Sequence, residues 1–120
     1  MPCDRAGLEA FYRRYLRCCN ERRFGELGGF VSQDVEVNGA VRGLRWYAEG
    51  LGRFVEAFPD FHWDLRHLLV EGFWLSALLA DTGTTPAGRS VSTRELAMYR
   101  VAGGRIVEVW GDLDLARLTM

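Results

Sequence analysis

The chain has 120 residues, of which 48% are hydrophobic and 26% are charged, a composition typical of one soluble globular domain. The formal net charge of -1 gives no basic excess, so nothing favours nucleic acid or an anionic membrane as a partner. The longest apolar run, FWLSALLA at 73–80, is too short to span a bilayer, and no signal-like segment precedes it. We therefore expect a cytoplasmic protein with a single domain over residues 1–120.

The first half of the chain predicts two helices with a short hairpin between them. Residues 5–22 form an amphipathic pattern, with apolar side chains at helical spacing and arginines between them. DVEVNGAVRG then alternates like a short strand that turns at Asn38-Gly39. A second apolar stripe begins at Leu44 and must end near Phe58, because Pro59 disfavours helical geometry in the residue before it.

The second half of the chain predicts strands. FHWDLRHLLVEG, FWLSALLADTG, GRSVSTRELAMYRV and GRIVEVWGDLD are four extended segments separated by glycine-bearing turns. Helices followed by strands predict an α+β domain, with the helices packed on one face of a mostly antiparallel sheet. Strands of this length coil strongly and can wrap around the helices, which leaves a pocket between the two layers.

The sequence contains no recognisable motif for a metal, a cofactor or a nucleophile. Cys3, Cys18 and Cys19 form neither an even disulfide framework nor a metal spacing, so we interpret them as reduced thiols. The histidines and acids lack metal-ligand spacing, and there is no phosphate loop, dinucleotide fingerprint or nucleophile elbow. If the protein is an enzyme, we expect acid–base chemistry without metal or cofactor.

The last predicted strand carries the main candidate for that chemistry. Alternation places on one face Ile106, Glu108, Trp110, Asp112 and Asp114. Trp110 favours a cavity over solvent, because a large aromatic side chain is rarely left uncovered on a sheet. A carboxylate inside an apolar pocket has a raised pKa and is suited to general acid–base catalysis. We predict this role for Asp114; a cap for the terminal LARL segment and a surface position are the alternatives.

Three further polar residues are candidates for the site. Glu95, in register with Tyr99, is predicted either to form an exposed ion pair or to enter the cavity as a second acid–base group. Asn38 is either a turn residue or an amide donor to an enolate oxygen. His67 shares a predicted strand face with Trp63 and is either a core residue or a group that polarises a carbonyl; His62 falls on the solvated face.

Aromatic side chains are predicted to wall the pocket. Most of them belong to the core by default, but a few in a cavity could stack on a flat, hydrophobic polycyclic ligand. The candidate ligand contacts are Tyr47, Phe54, Phe58, Trp63, Tyr99 and Trp110.

Several segments together resemble one known family. FPDFHWDLRHLLVEG (58–72), DTGT (81–84), GRSVSTRELAMYRVAGGRIVEVW (88–110) and the aspartate four residues past Trp110 resemble SnoaL-like polyketide cyclases, within the nuclear-transport-factor-like and ketosteroid-isomerase-like superfamily. The resemblance implies a cone-shaped, curved sheet wrapped around the N-terminal helices, a closed apolar cavity, and a homodimer formed through the sheet. It also implies cofactor-independent aldol ring closure of an aromatic polyketide.

The resemblance assigns roles to two residues, and this sequence differs from the family pattern in two places. Asp114 matches the family's acid–base aspartate, and Asn38 matches an asparagine on an early strand. Between Gly83 and Gly88, TTPA replaces a longer loop that usually contains a histidine. The strand histidine of the founding cyclases is replaced by Glu95 within STRELAMYR.

Three functions remain open from the sequence. The first is aldol closure of a polyketide by Asp114, with Asn38 and His67 polarising the carbonyl. The second is epoxide opening or hydroxylation, using Arg94, Glu95 and Asp114 around an activated water, although Arg94 and Glu95 alternate across a regular strand. The third is a non-catalytic binding or dimer module.

Overall fold

The computed structural model describes residues 4–111, and its elements follow the predicted order. Helix α1 (Arg5–Asn20) is followed by a 3-10 helix (Phe24–Gly29), strands β1 (Val31–Val37) and β2 (Ala40–Val41), and helix α2 (Leu44–Ala57). Four longer strands follow: β3 (His62–Glu71), β4 (Trp74–Thr84), β5 (Ser90–Ala102) and β6 (Arg105–Gly111). The predicted α+β class, with helices against a curved and mostly antiparallel sheet, is confirmed.

Helix α1 is fixed at both ends by side-chain hydrogen bonds. At its start, the Gly7 N–H donates to Asp4 Oδ1 at 2.8 Å, which satisfies one of the free amides of the first turn. At its end, the Asn20 amide exchanges two 2.9 Å hydrogen bonds with the backbone of Trp63 on β3. The buried face of the helix therefore has a fixed position over the sheet.

Within residues 4–111, six strands form one sheet in the order β2-β1-β6-β5-β4-β3. All neighbouring pairs are antiparallel except β1 and β6, which run parallel. The predicted turn at Asn38-Gly39 is confirmed: both residues have positive φ, +50° and +91°, as a two-residue hairpin of type I′ requires.

Two register shifts decide which side chains reach the interior. On β3, Leu65 pairs with Leu79 and His67 with Leu78, so Arg66 is an extra residue; on β6, Val107 is extra in the same way between Glu108 and Ile106. One extra residue reverses the facing of everything beyond it. Within the described chain, no helix meets the length and apolarity needed to cross a membrane.

Candidate active site

A cavity of about 150 Å³ lies between the two helices and the inner face of the sheet. Helix α1, helix α2 and strands β3 to β6 all contribute to its walls. Among the described residues, its lining consists of Tyr15, Leu16, Cys19, Tyr47, Leu51, Trp63, Leu79, Glu95, Ala97, Tyr99, Val109 and Gly111.

Glu95 is the carboxylate in this lining. It lies on β5 opposite Leu79 of β4 and on the same face as Ala97 and Tyr99, as alternation predicted. Its Oε1 atom is shielded from solvent, and the residue as a whole is partly buried. Arg94, its neighbour in the chain, is exposed on the opposite face, so the two side chains do not share the cavity. Of the two positions considered for Glu95, the structure has the one inside the cavity.

Three residues of the lining, Tyr15, Tyr47 and Tyr99, carry hydroxyl groups. Tyr12 donates a hydrogen bond to the hydroxyl of Tyr99 at 3.1 Å, and the hydroxyls of Tyr15 and Tyr47 are hydrogen-bonded to each other. Tyr15 was not predicted as a site residue, because its helical spacing indicated only a core position. The signal was present, however: a tyrosine at a buried helical position must find a partner for its hydroxyl.

Burial keeps these groups protonated. It raises the pKa of Tyr15 and Tyr99 well above the ordinary tyrosine value and raises the pKa of Tyr47 in the same direction. It also raises the pKa of the Cys19 thiol to about 12. The negative charge of Glu95 contributes to the raised pKa of Tyr47 and Tyr99. At neutral pH the cavity therefore presents neutral O–H donors beside a carboxyl group.

A second inward carboxylate, Asp81, was not predicted from the sequence. Asp81 on β4 is only 1% exposed, and both of its carboxylate oxygens are shielded from solvent. It pairs in register with Thr93 and lies on the face of Leu79, which places it diagonally across from Glu95. The alternation of β4 could have found it, since Leu75, Ala77, Leu79 and Asp81 recur every second residue and are all buried.

Trp110 and Asn38 lie outside the cavity lining. The predicted shared face of Ile106, Glu108 and Trp110 is wrong, because the extra residue Val107 turns Ile106 inward and the other two outward. Trp110 is 41% exposed and donates to Glu108 Oε2 at 2.6 Å. Asn38 is an exposed turn residue whose Oδ1 accepts a hydrogen bond from the Gly111 N–H at 3.0 Å.

His67 does not lie on the strand face that its pattern predicted. The predicted face shared with Trp63 is wrong: beyond the extra residue Arg66, His67 is exposed on the outer surface, in register with Leu78. His62 is exposed, as predicted.

The six aromatic candidates divide into two groups. Trp63, Tyr47 and Tyr99 line the cavity, as predicted. Phe54 and Phe58, like Trp110, are absent from the lining; both pack in an aromatic cluster around Phe61, whose ring centroid is 4.5 Å from that of Phe54. That cluster supports the cavity wall through Trp63, 4.8 Å from Phe61.

The remaining candidates are the cysteines, the two C-terminal aspartates and any metal-binding group. Asp112, Asp114 and Cys3 lie outside the described residues, so the roles assigned to them stay predictions. Cys18 and Cys19 are buried free thiols. Between residues 4 and 111, no group of three or more histidine, cysteine, aspartate or glutamate side chains is arranged to hold a metal ion.

Comparisons with known proteins agree with this architecture. The family model of SnoaL-like polyketide cyclases matches residues 9–119. The structure superposes with a TM-score of 0.85 on a SnoaL-like polyketide cyclase from Agrobacterium tumefaciens, at 31% sequence identity over 89% of this chain and 91% of that one.

More distant solved structures show the same fold. IdmH from Streptomyces antibioticus, a candidate polyketide cyclase, has a TM-score of 0.82 at 19% identity, covering 92% of this chain and 94% of its own. AclR from Streptomyces galilaeus, a candidate hydroxylase, has a TM-score of 0.81 at 19% identity, covering 96% and 86%. A comparison with curated proteins found no match. The match over nearly the whole chain shows that the protein belongs to the SnoaL-like polyketide cyclase family.

Proposed function

We propose that this protein closes a ring by cofactor-independent intramolecular aldol condensation of an aromatic polyketide or a similar metabolite. The observation that carries the proposal is the Glu95 carboxylate, which faces a cavity walled by aromatic side chains and has one oxygen shielded from water. Membership of the family supports the reaction class.

The proposed step needs a base, an oxygen-binding group and a water-poor space. Glu95 takes a proton from the carbon beside a carbonyl, and the resulting enolate carbon attacks a second carbonyl carbon of the same molecule. The alkoxide formed there takes the proton back, so one C–C bond is gained and no proton is lost. A carboxylate with reduced hydration is a stronger proton acceptor, and a positioned base contributes roughly 10²–10⁴-fold to such a step.

Asp114 stays in the proposal as a second proton-transfer group, on the basis of the family resemblance. His67 and Asn38 are left out of the step, since their side chains are exposed away from the cavity lining. Trp63 and Tyr99 provide the aromatic walls against which the reacting ring would lie.

Substitution of the carboxylates tests the reaction. Turnover of a linear β-polyketone that cyclises by aldol closure is measured for the wild type, Glu95→Gln and Asp114→Asn, with Glu49→Gln on the exposed side of α2 as the matched control. We expect a loss of about 10²–10⁴-fold for Glu95→Gln and wild-type turnover for the control. Full activity of Glu95→Gln would overturn its role, and a loss confined to Asp114→Asn would transfer that role to Asp114.

Isotope labelling separates this reaction from epoxide opening or hydroxylation. Aldol closure forms no new carbon–oxygen bond to water, so product made in ¹⁸O-water, isolated before carbonyl exchange, carries no label at the ring-closing carbon. Label introduced in an enzyme-dependent manner would support water activation instead. A wild-type rate equal to the uncatalysed rate would favour a binding module.

We also propose that the protein forms a homodimer through the outer face of its sheet. One cross-strand row on that face, Leu69, Ser76, Met98 and Trp110, runs over four strands, and Leu96 lies beside it at 56% exposed. A two-fold interface pairs a surface with itself, so unpaired like charges near its centre would repel each other. The Arg100–Glu108 ion pair, 2.9 Å long, neutralises itself within this face.

The dimer is tested by molar mass in solution. Met98→Lys would place a lysine in this row on both copies, so we expect a monomer, whereas Arg14→Glu on the exposed face of α1 should leave the mass unchanged. A monomeric wild type across the micromolar range would rule out the dimer.

A further inference from the structure

The two helices bring a pair of tyrosine hydroxyls together at the cavity. Tyr15 comes from α1 and Tyr47 from α2, both side chains line the cavity, and their hydroxyls are hydrogen-bonded to each other. Glu95 reaches the same cavity from β5. The base of the proposed reaction and this hydroxyl pair therefore belong to separate elements around one space.

The hydroxyl pair has one O–H group that its mutual hydrogen bond does not use. Two hydroxyls carry two protons, and the bond between them uses one. Tyr15 also lies within hydrogen-bonding reach of the Cys19 sulfur. Sulfur is a weak acceptor, so a carbonyl or enolate oxygen that enters the cavity would take the second proton in its place.

The pair is also suited to an oxygen on which negative charge develops. Burial holds both hydroxyls in the protonated form, as their raised pKa values indicate. When one hydroxyl donates to an anionic oxygen, the bond that it receives from the other hydroxyl strengthens, because linked hydrogen bonds polarise one another. A neutral carbonyl gains less than an enolate, which is the difference that lowers an activation barrier.

The size of the cavity limits what can be bound there. About 150 Å³ is the volume of an apolar cavity that holds a single six-membered ring. Only one ring or enolisable unit of a larger substrate fits between Trp63, Tyr99 and the hydroxyl pair within the described lining.

We propose that the Tyr15–Tyr47 hydroxyl pair is the binding site for the carbonyl oxygen of a single-ring enolisable ketone unit and stabilises its enolate in the cavity that Glu95 also lines. This inference rests on the proposed function and adds to it the group that receives the developing charge. It assigns α2 a part in the site, since Tyr47 and Leu51 are its contributions to the lining.

Phenols test the oxygen site without turnover. A phenolate is a planar ring bearing an oxyanion, so it imitates the enolate, and its absorbance reports whether it is bound in the ionised form. Binding of phenols of increasing acidity is measured in the Glu95→Gln background, which removes the repulsion of the carboxylate, with and without Tyr15→Phe or Tyr47→Phe. We expect affinity to rise with phenol acidity and to fall by about tenfold to hundredfold in either variant.

Tyr12→Phe is the matched control. It deletes a buried hydroxyl that is bonded to Tyr99, but Tyr12 is absent from the cavity lining. We expect phenolate affinity within about threefold of the background for this variant. Equal losses for Tyr12→Phe and Tyr47→Phe, or unchanged affinity in Tyr15→Phe and Tyr47→Phe, would overturn the inference. If Tyr15→Phe does not fold, Tyr47→Phe alone decides the outcome, because Tyr47 lies on the less buried helix.

The two proposals can fail separately. Turnover that survives Glu95→Gln, together with phenolate affinity lost in Tyr47→Phe, would reject Glu95 as the base and keep the oxygen site. Turnover lost in Glu95→Gln, with phenolate affinity independent of both tyrosines, would keep the base and reject the oxygen site.

Discussion

Glu95 and Glu108 lie on neighbouring strands of one sheet and meet opposite surroundings. Glu95 faces inward, with Oε1 shielded from water, among aromatic rings and tyrosine hydroxyls. Glu108 faces outward, where it accepts hydrogen bonds from Arg100 Nε at 2.9 Å and from Trp110 Nε1 at 2.6 Å. A glutamate thus lies in a cavity on the inner face of the sheet, and another glutamate lies in a hydrogen-bond network on the outer face.

This difference bears on the proposed proton transfer. On the outer face, the hydrogen bonds from Trp110 and Arg100 lower the pKa of Glu108 and hold it as a carboxylate. On the inner face, burial raises the pKa of the tyrosines and keeps their protons in place. A carboxyl that shares a cavity with protonated hydroxyls suits a proton-transfer reaction, whereas a carboxylate whose pKa is lowered by two donors is a weaker base.

The largest expected effect comes from truncating leucines on the two faces. Leu75 on β4 points inward and is 0% exposed, while Leu69 on β3 points outward and is 67% exposed. We expect Leu75→Ala to lower the free energy of unfolding by about 2–5 kcal/mol, because it removes buried contacts and leaves a void. Leu69→Ala in the monomer should change it by roughly 0.5 kcal/mol or less.

Urea denaturation at low protein concentration measures both values. Similar losses for the two variants would show that Leu69 is covered in the monomer, and the contrast between the faces would not hold. A loss for Leu69→Ala that grows with protein concentration would instead support the proposed dimer.

Periodicity predicted the elements well and the facing of their residues less well. Helical spacing placed both helices, and alternation placed Glu95 with Tyr99 because no extra residue separates them on β5. His67 and Trp110 were placed on the wrong face because each lies beyond an extra residue. Neither Arg66 nor Val107 is a glycine or proline, so nothing local marked the shifts.

The polar contacts of the site depend on distant parts of the chain meeting. Tyr15 and Tyr47 are 32 residues apart, and Tyr12 and Tyr99 are 87 apart. Helical spacing predicted inward positions for Tyr12, Tyr15 and Tyr47, and Tyr99 lies on a predicted strand. The partner of each hydroxyl, however, is set by how the helices pack on the sheet. A sequence pattern could therefore supply the residues of the cavity wall without showing that they pair.

An intermediate effect on the free energy of unfolding is expected from substitution of Asn38. This residue holds the end of β6, where Gly111 lines the cavity and Trp110 does not. Its φ of +50° and its hydrogen bond to Gly111 both favour asparagine. Asn38→Ala should lower the free energy of unfolding by about 1–2 kcal/mol, whereas Asn38→Gly keeps the backbone conformation and loses about 1 kcal/mol with the bond. Thermal melts compare the two; equal and negligible losses would mean that the turn does not hold β6.

The smallest effect tests whether the outer face meets water, through a double-mutant cycle of Glu108→Gln and Arg100→Gln. Because the folded pKa of Glu108 is lowered, its stabilising effect is complete above the ordinary glutamate value near 4.5 and disappears as the pH falls through the folded value. We expect a coupling free energy of about 0.2–1 kcal/mol at pH 7 that vanishes at low pH and weakens in salt. In the monomer, a larger coupling that persists at high salt would show that Glu108 is shielded from water. Glu108 and Glu95 would then differ only in the side chains that surround them.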